Sequence, residues 1–280
     1  MITIKAYAKV NLSLKINGKR EDGYHILDTV MQTVSIYDTV DISIADNGVV
    51  EVKCDDDSLC GQSNLCFKAA RLFFDKAKIQ GGCYINIKKR IPVSAGLGGG
   101  SSDAAAVIKG LNILYGQPLS LSELKKLALL LGADVPFFIE GGTARAMGIG
   151  EELTKINNKL PLCFLLVKEG EKPSTASMYK KIDESDVLSS DKDISDNMVK
   201  SLLNADLNLF VKSFKNDFSY VWDYEEIRRD LTDNGAAAVS LSGSGPTVMG
   251  VFKTKADAER ALNVLKSEYS CIYSVETVNE

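Results

Sequence analysis

Three features of the sequence predict an α+β protein built as two domains. Residues 1–53 alternate apolar and polar side chains in the β manner. A later strand gives way, through a glycine-rich loop, to an alanine-rich helix, and a second β-rich start appears at residues 160–167. The 280 residues, 45% apolar and 25% charged, suffice to bury a sizeable core and have ordinary globular composition.

Taken in order, Ile2 and Ile4, then Val10, Leu12, Leu14 and Ile16, then Val30 to Ile36 and Val40 to Ile44 mark several antiparallel strands. Gly18, Gly23 and the turn Asp46-Asn47-Gly48 separate them. From Asn64 to Ala77 the spacing of Leu65, Ala69, Leu72 and Phe73 is helical, with Ser63 as N-cap. Tyr84 to Ile91 alternates as a strand and stops at Pro92, and Asp103 to Tyr115 is the alanine-rich helix. Ser120 opens another helix with Glu123 at the capping-box position, and Gly132 closes it.

The turn-rich residues 157–161 set the boundary, giving domains 1–157 and 158–280. Beyond it come a strand at 160–167 and helices near 174–182, 195–214 and 216–233. A strand pair follows near 237–242 and 247–252, then a helix near 255–267 and a last strand near 271–277. Strand, helices, two strands, helix, strand is the order of a split βαβ, ferredoxin-like sandwich. Residues 180–197, dense in Asp, Ser and Lys, read as a solvated surface segment.

Composition excludes several function classes. With 33 Lys+Arg against 37 Asp+Glu, the net charge of −4 gives no broad attraction for nucleic acid. The single histidine, His25, rules out multi-histidine zinc sites and H-E-x-x-H metalloprotease chemistry. The six cysteines form no C-x-x-C pair and read as buried packing residues in a reducing cytoplasm. The start MITIKAYAKVNLSLK lacks the basic stretch and continuous apolar core of a signal peptide, and no apolar run approaches a membrane span.

Three constellations carry chemistry. The first runs Pro92, Val93, Ser94, Ala95, Gly96, Leu97, Gly98, Gly99, Gly100, Ser101, Ser102, with Asp103 opening the helix. Glycines let successive backbone N–H groups point into one concavity, and the helix that follows presents its own unpaired amides, so phosphate is the natural guest. It is neither a Walker loop, which ends Gly-Lys-Ser/Thr, nor a dinucleotide fingerprint, because Ser101 stands at the third glycine. The second is Leu131-Gly132-Ala133-Asp134-Val135-Pro136, where the aspartate either caps a helical turn or serves as the carboxylate that a phosphoryl transfer needs. Lys9, in Ala8-Lys9-Val10-Asn11, is either an exposed strand lysine or the cation for that chemistry. The third is Ser242-Gly243-Ser244-Gly245-Pro246, a hairpin loop that equally suits backbone approach to phosphate.

In this order, over nearly the whole chain, the three motifs resemble the GHMP kinase superfamily. Ala6-Tyr7-Ala8-Lys9-Val10-Asn11, Asp22-Gly23-Tyr24-His25 and Leu131 to Pro136 resemble in particular its branch acting on a cytidine-diphosphate-linked methylerythritol. The resemblance implies a two-domain fold, with an N-terminal ribosomal protein S5 domain 2-like βα domain and a C-terminal ferredoxin-like α/β sandwich. It also implies ATP as phosphoryl donor with Mg²⁺, and phosphorylation of a hydroxyl of a small-molecule substrate.

By the same resemblance, Asp134 serves as base or orienter, with Lys9 near it supporting the developing charge. The loop from Pro92 to Ser102 holds the ATP phosphates, and Asn64 and Lys89 border the adenosine. Asn11 meets the substrate near its reacting end, with Gly243 and Ser244 also on the substrate side, and Tyr24 and His25 hold the cytosine. Tyr179, by its place in Lys172-Pro173-Ser174-Thr175-Ala176-Ser177-Met178-Tyr179, is the candidate second stacking aromatic; a surface or core tyrosine is the alternative. No residue is assigned as a direct metal ligand. The rival readings are a mevalonate or homoserine kinase, which would lack the Asp-Gly-Tyr-His element, and a non-catalytic nucleotide-binding module, which would not need both Lys9 and Asp134.

Overall fold

The computed structural model describes residues 1–46, 48–171, 174–185 and 193–279. Asn47 of the first predicted turn, Lys172 and Pro173 of the Tyr179 segment, and residues 186–192 of the charged segment lie outside the described residues. Two compact units interleave along the chain: one takes residues 1–8, 36–93 and 98–141, the other 9–35, 94–97 and 142–280. Residues 158–280 all fall in the second unit, whereas residues 1–157 are divided between the two. The reason is the length of the first two strands, β1 (Ile2–Lys19) and β2 (His25–Ala45), each of which carries residues of both units. No glycine or proline interrupts Ile2 to Ile16, so the several short strands expected there merge into two long ones.

In the first unit, β2 over Thr39–Ala45 pairs antiparallel with β4 (Gly82–Lys88), and β3 (Val50–Cys54) lies parallel to β4. The parallel pairing departs from the antiparallel expectation because α1 (Leu65–Ala77) is the crossover between them, returning the chain to the same direction. The N-cap of α1 is Asn64, not Ser63: its side chain accepts from the Cys66 N–H at 2.8 Å. The alanine-rich helix α2 (Gly99–Leu114) buries Ala104, Ala105, Val107, Ile108 and Leu111. It lies so close to the sheet at Gly110 that a Cβ there would stand 2.4 Å from the Ile42 side chain. The helices α3 (Leu121–Leu129), with the expected Ser120–Glu123 capping box, and α4 (Val135–Glu140) complete the layer.

In the second unit, β2 over Leu27–Gln32 pairs with β5 (Thr143–Gly148), which pairs with β6 (Glu152–Lys155). The C-terminal sheet holds β7 (Cys163–Lys168), β8 (Ala238–Leu241), β9 (Thr247–Phe252) and β10 (Ile272–Glu276) in the order β10-β7-β9-β8, all antiparallel. This is the ferredoxin-like order that the element sequence predicted. Helices α5 (Thr175–Glu184), α6 (Ile194–Asn204), α7 (Leu207–Ser213), α8 (Glu225–Asp233) and α9 (Lys255–Leu265) belong to the same unit. The core joins Leu165, Val167, Leu231, Val248, Phe252 and Leu265 to Met178 and Phe218. The single helix expected over 195–214 is two: Ala205 turns left-handed at φ 53°, and Asp206 then caps α7. Similarly, 216–233 is a short 3₁₀ turn at Asp217–Tyr220 followed by α8.

All six cysteines are free, and burial holds the thiols of Cys54, Cys66, Cys83 and Cys163 above their ordinary range, Cys83 up to about 12. Among the described residues no helix is long and apolar enough to cross a membrane.

Candidate functional site

Lys9 is no exposed strand lysine: it is 4% exposed and its Nζ donates to Asn11 Oδ1 at 2.7 Å. Asn11 Nδ2 donates in turn to Thr29 Oγ1 at 2.8 Å, and Thr29 Oγ1 to the Ser13 carbonyl at 2.6 Å. The chain of bonds locks the amide orientation, so the Asn11 oxygen faces the ammonium. Burial of an ammonium is costly without such partners.

Beside this pair, two of the three glycine-bearing motifs meet. Residues 94–97 belong to the second unit, as does the loop after β8. Gly96, at φ +77°, stands so close to that loop that a Cβ would be 2.7 Å from the Ser242 carbonyl and 2.8 Å from that of Gly245. Ser242 Oγ donates to the Gly96 carbonyl at 3.3 Å, and the Lys9 N–H to the Leu97 carbonyl at 2.9 Å. A Cβ on Gly243 would lie 3.4 Å from Asn11 Oδ1 and 3.7 Å from Lys9 Nζ. Lys9, Asn11, Gly96 and Gly243 therefore share one cluster. Ser244, 9% exposed, pairs its hydroxyl with Thr175 Oγ1 at 3.2 Å.

Asn216 holds the third motif in place and carried no sequence signal. Its Nδ2 donates to the carbonyls of Leu241 at 2.9 Å and Gly243 at 2.7 Å, while its Oδ1 caps the 3₁₀ turn at Phe218.

In the first unit, α2 begins inside the glycine loop itself. Gly98 is its N-cap at φ +71° with no capping side chain, so the amides of Gly99, Gly100 and Ser101 are the ones the helix leaves open. In the second unit, Ser94 at φ +57° and Gly96 at φ +77° are left-handed as well. Ala95 and Leu97 anchor the loop with buried side chains, and Val93 stays exposed beside Pro92. Ser102 is turned inward, its hydroxyl donating to the Tyr7 carbonyl at 2.7 Å.

Below the loop, Asp38 is fully buried. It accepts from the N–H groups of Arg90 at 2.5 Å and Ile91 at 2.8 Å and pairs with Lys89. Lys89 Nζ also donates to Asp103 at 2.7 Å. Two carboxylates thus share one ammonium: burial, opposed by Lys89 and reinforced by Asp38, raises the Asp103 carboxyl to about 7. Lys89 and Asn64, assigned to the adenosine border, have their polar atoms engaged within the fold, Asn64 Nδ2 with the Leu59 carbonyl at 2.7 Å. Asp134 stands at the N-cap of α4 in αR geometry, and its carboxylate makes no capping hydrogen bond to that helix.

A separate cluster in the second unit gathers the nucleobase candidates. The turn before β2 closes through Arg20 N–H to the Tyr24 carbonyl at 2.7 Å and presents Tyr24 at 60% exposure. His25 Nε2 lies 2.7 Å from Asp183 Oδ1, and the His25 ring stacks on Tyr179 at 4.3 Å and 13°. Phe218 backs Tyr179 edge-on at 5.0 Å.

Glycine loops with a buried lysine, on an N-terminal βα unit and a C-terminal ferredoxin-like sheet, define the class of GHMP kinases. The family of GHMP kinases N terminal domains matches residues 64–142, and that of GHMP kinases C terminal domains residues 223–271. The 4-diphosphocytidyl-2-C-methyl-D-erythritol kinase of Clostridium tetani is 39% identical, over 98% of this chain and 99% of that protein. A crystal structure of 4-(cytidine 5'-diphospho)-2C-methyl-D-erythritol kinase is similar at TM-score 0.83 and 30% identity, covering 100% of both chains. A homoserine kinase from Cytophaga hutchinsonii shares the fold, at TM-score 0.76 and 17% identity over 98% of this chain and 94% of its own. The chain belongs to the 4-diphosphocytidyl-2-C-methyl-D-erythritol kinase family.

Proposed function

We propose that the chain transfers the γ-phosphoryl group of ATP to the 2-hydroxyl of 4-diphosphocytidyl-2-C-methyl-D-erythritol, giving the 2-phosphate and ADP, a step of the non-mevalonate route to isoprenoids. The observation that carries this reading is the buried Lys9–Asn11 pair beside two abutting glycine loops, in a chain whose full-length relatives bear that activity in their names.

In this reading the Asp134 carboxylate orients the hydroxyl and receives its proton, and the Lys9 ammonium stabilises the charge developing on the transferred group. Asn11 fixes Lys9 and meets the substrate beside it. The amides from Gly96 to Ser101 hold the ATP phosphates, with Pro92, Val93 and Ser102 shaping the loop and Asn64 and Lys89 bordering the adenosine. Gly243 and Ser244 line the substrate side, and Tyr24, His25 and Tyr179 hold the cytosine. Mg²⁺ would supply charge neutralisation on the phosphates. Phosphate oxygens are its expected main ligands, as is common for this ion. A cytoplasmic location suits the free thiols.

Replacing Asp134 with Ala tests the assignment. Turnover is expected to vanish while ATP still binds in a calorimetric titration; full turnover in this variant would remove Asp134 from the chemistry.

A further inference from the structure

Asp183 has no part in the roles assigned above, yet it organises the histidine that has one. It sits on α5 with both oxygens engaged: Oδ1 faces His25 Nε2 at 2.7 Å and Oδ2 accepts from Lys19 Nζ at 2.7 Å. The His25 side chain is only 8% exposed, and stacking on Tyr179 fixes its plane. An ionised carboxylate only accepts hydrogen bonds, so Nε2 carries the proton. In the neutral ring Nδ1 is then a bare lone pair, and among the described residues it makes no hydrogen bond.

We propose that Asp183 is a specificity-positioning residue. By accepting the hydrogen bond of His25 Nε2–H it keeps Nδ1 an acceptor, which a pyrimidine with an exocyclic amine satisfies and one with a carbonyl at that position does not. The inference rests on the nucleobase role proposed for His25. Cytosine offers an amino donor where uracil offers an acceptor, and an acceptor facing an acceptor leaves both unpaired, which is how a small site rejects a near-isostere. Lys19 assists by holding the Asp183 carboxyl below its usual range, the largest influence on it, with the His25 bond second. Asp183 and Lys19 are partly exposed, so replacing Asp183 is expected to leave the fold intact.

The single histidine makes the test unambiguous, because a ¹⁵N spectrum of the full-length protein contains one imidazole. The wild type is expected to show a protonated Nε2 and a bare Nδ1. Asp183→Asn is expected to shift the tautomer balance, with Asp183→Glu restoring it. In kinetics, Asp183→Asn is expected to raise the KM for the cytidyl substrate about tenfold and to cut the preference over its uridyl counterpart by a similar factor. Its kcat at saturation and its KM for ATP should move less than about twofold. A protonated Nδ1 in the wild type, or a stable Asp183→Asn protein with unchanged spectrum and unchanged preference, would overturn the proposal. A wild type with the expected tautomer that phosphorylates neither nucleotide compound would overturn the proposed function and the selectivity role together, while leaving the Asp183–His25 geometry standing.

Discussion

The α-carbon of Gly96 faces the carbonyl of Ser242 so closely that a β-carbon would sit 2.7 Å from that oxygen. Two glycine motifs far apart in sequence are thus packed backbone to backbone, and the positive φ of Gly96 serves the same approach. Gly96→Ala is expected to cost about 1–2 kcal/mol for the left-handed backbone alone, with the steric clash added. Thermal melting should show the loss, and the KM for ATP should rise in parallel. A melting temperature unchanged from wild type would mean the loops do not need this contact.

Lys9 is buried against Asn11, so Lys9→Met removes a charge that no neighbouring solvent replaces. A fall in kcat on the order of 10²–10³ is expected, in line with removal of a preorganised electrostatic partner. ATP affinity should change little, and steady-state kinetics beside a nucleotide-binding titration separates the two.

Asn216→Ala withdraws the donor from the carbonyls of Leu241 and Gly243. About 1–3 kcal/mol of stability is expected to go with each buried carbonyl left unpaired. The substrate-side loop should loosen, raising the KM for the phosphate acceptor more than that for ATP. Denaturant unfolding and a two-substrate kinetic matrix check both parts.

The pH dependence of stability should carry the mark of Asp103. Its carboxyl is raised in the fold to about 7, above its unfolded value of about 3.9. Between those values the folded chain keeps a proton that the unfolded chain has lost, so stability from this group is full below about pH 4 and is lost as pH rises through about 7. Asp103→Asn should flatten that descent, by at most about 1.4 kcal/mol per pH unit for one group. Urea unfolding from pH 4 to pH 8 gives the slope for both proteins.

Much of this was legible in the sequence because it is local. The glycine loop, its helix, the capping box at Ser120 and the order of C-terminal elements depend on neighbours a few residues apart. What escaped reading is non-local. Asn216 acts on Gly243 across another helix and strand, and Asp38, within β2, holds the backbone of Arg90 and Ile91 just before the glycine loop. Neither spacing leaves a pattern, since hydrogen-bond partners across a fold have no period. The burial of Lys9 was equally hidden, because alternation shows that a side chain faces one side of a strand but not what covers that side. The break at Ala205 was missed because a left-handed alanine carries no sequence mark of the kind glycine gives.

Substrate choice is the most direct measure of the whole. A coupled ADP-release assay with the full-length protein, offering 4-diphosphocytidyl-2-C-methyl-D-erythritol, mevalonate and homoserine in turn, should give ATP-dependent turnover with the cytidyl compound alone. Turnover with mevalonate or homoserine, and none with the cytidyl compound, would contradict the proposed function at its centre.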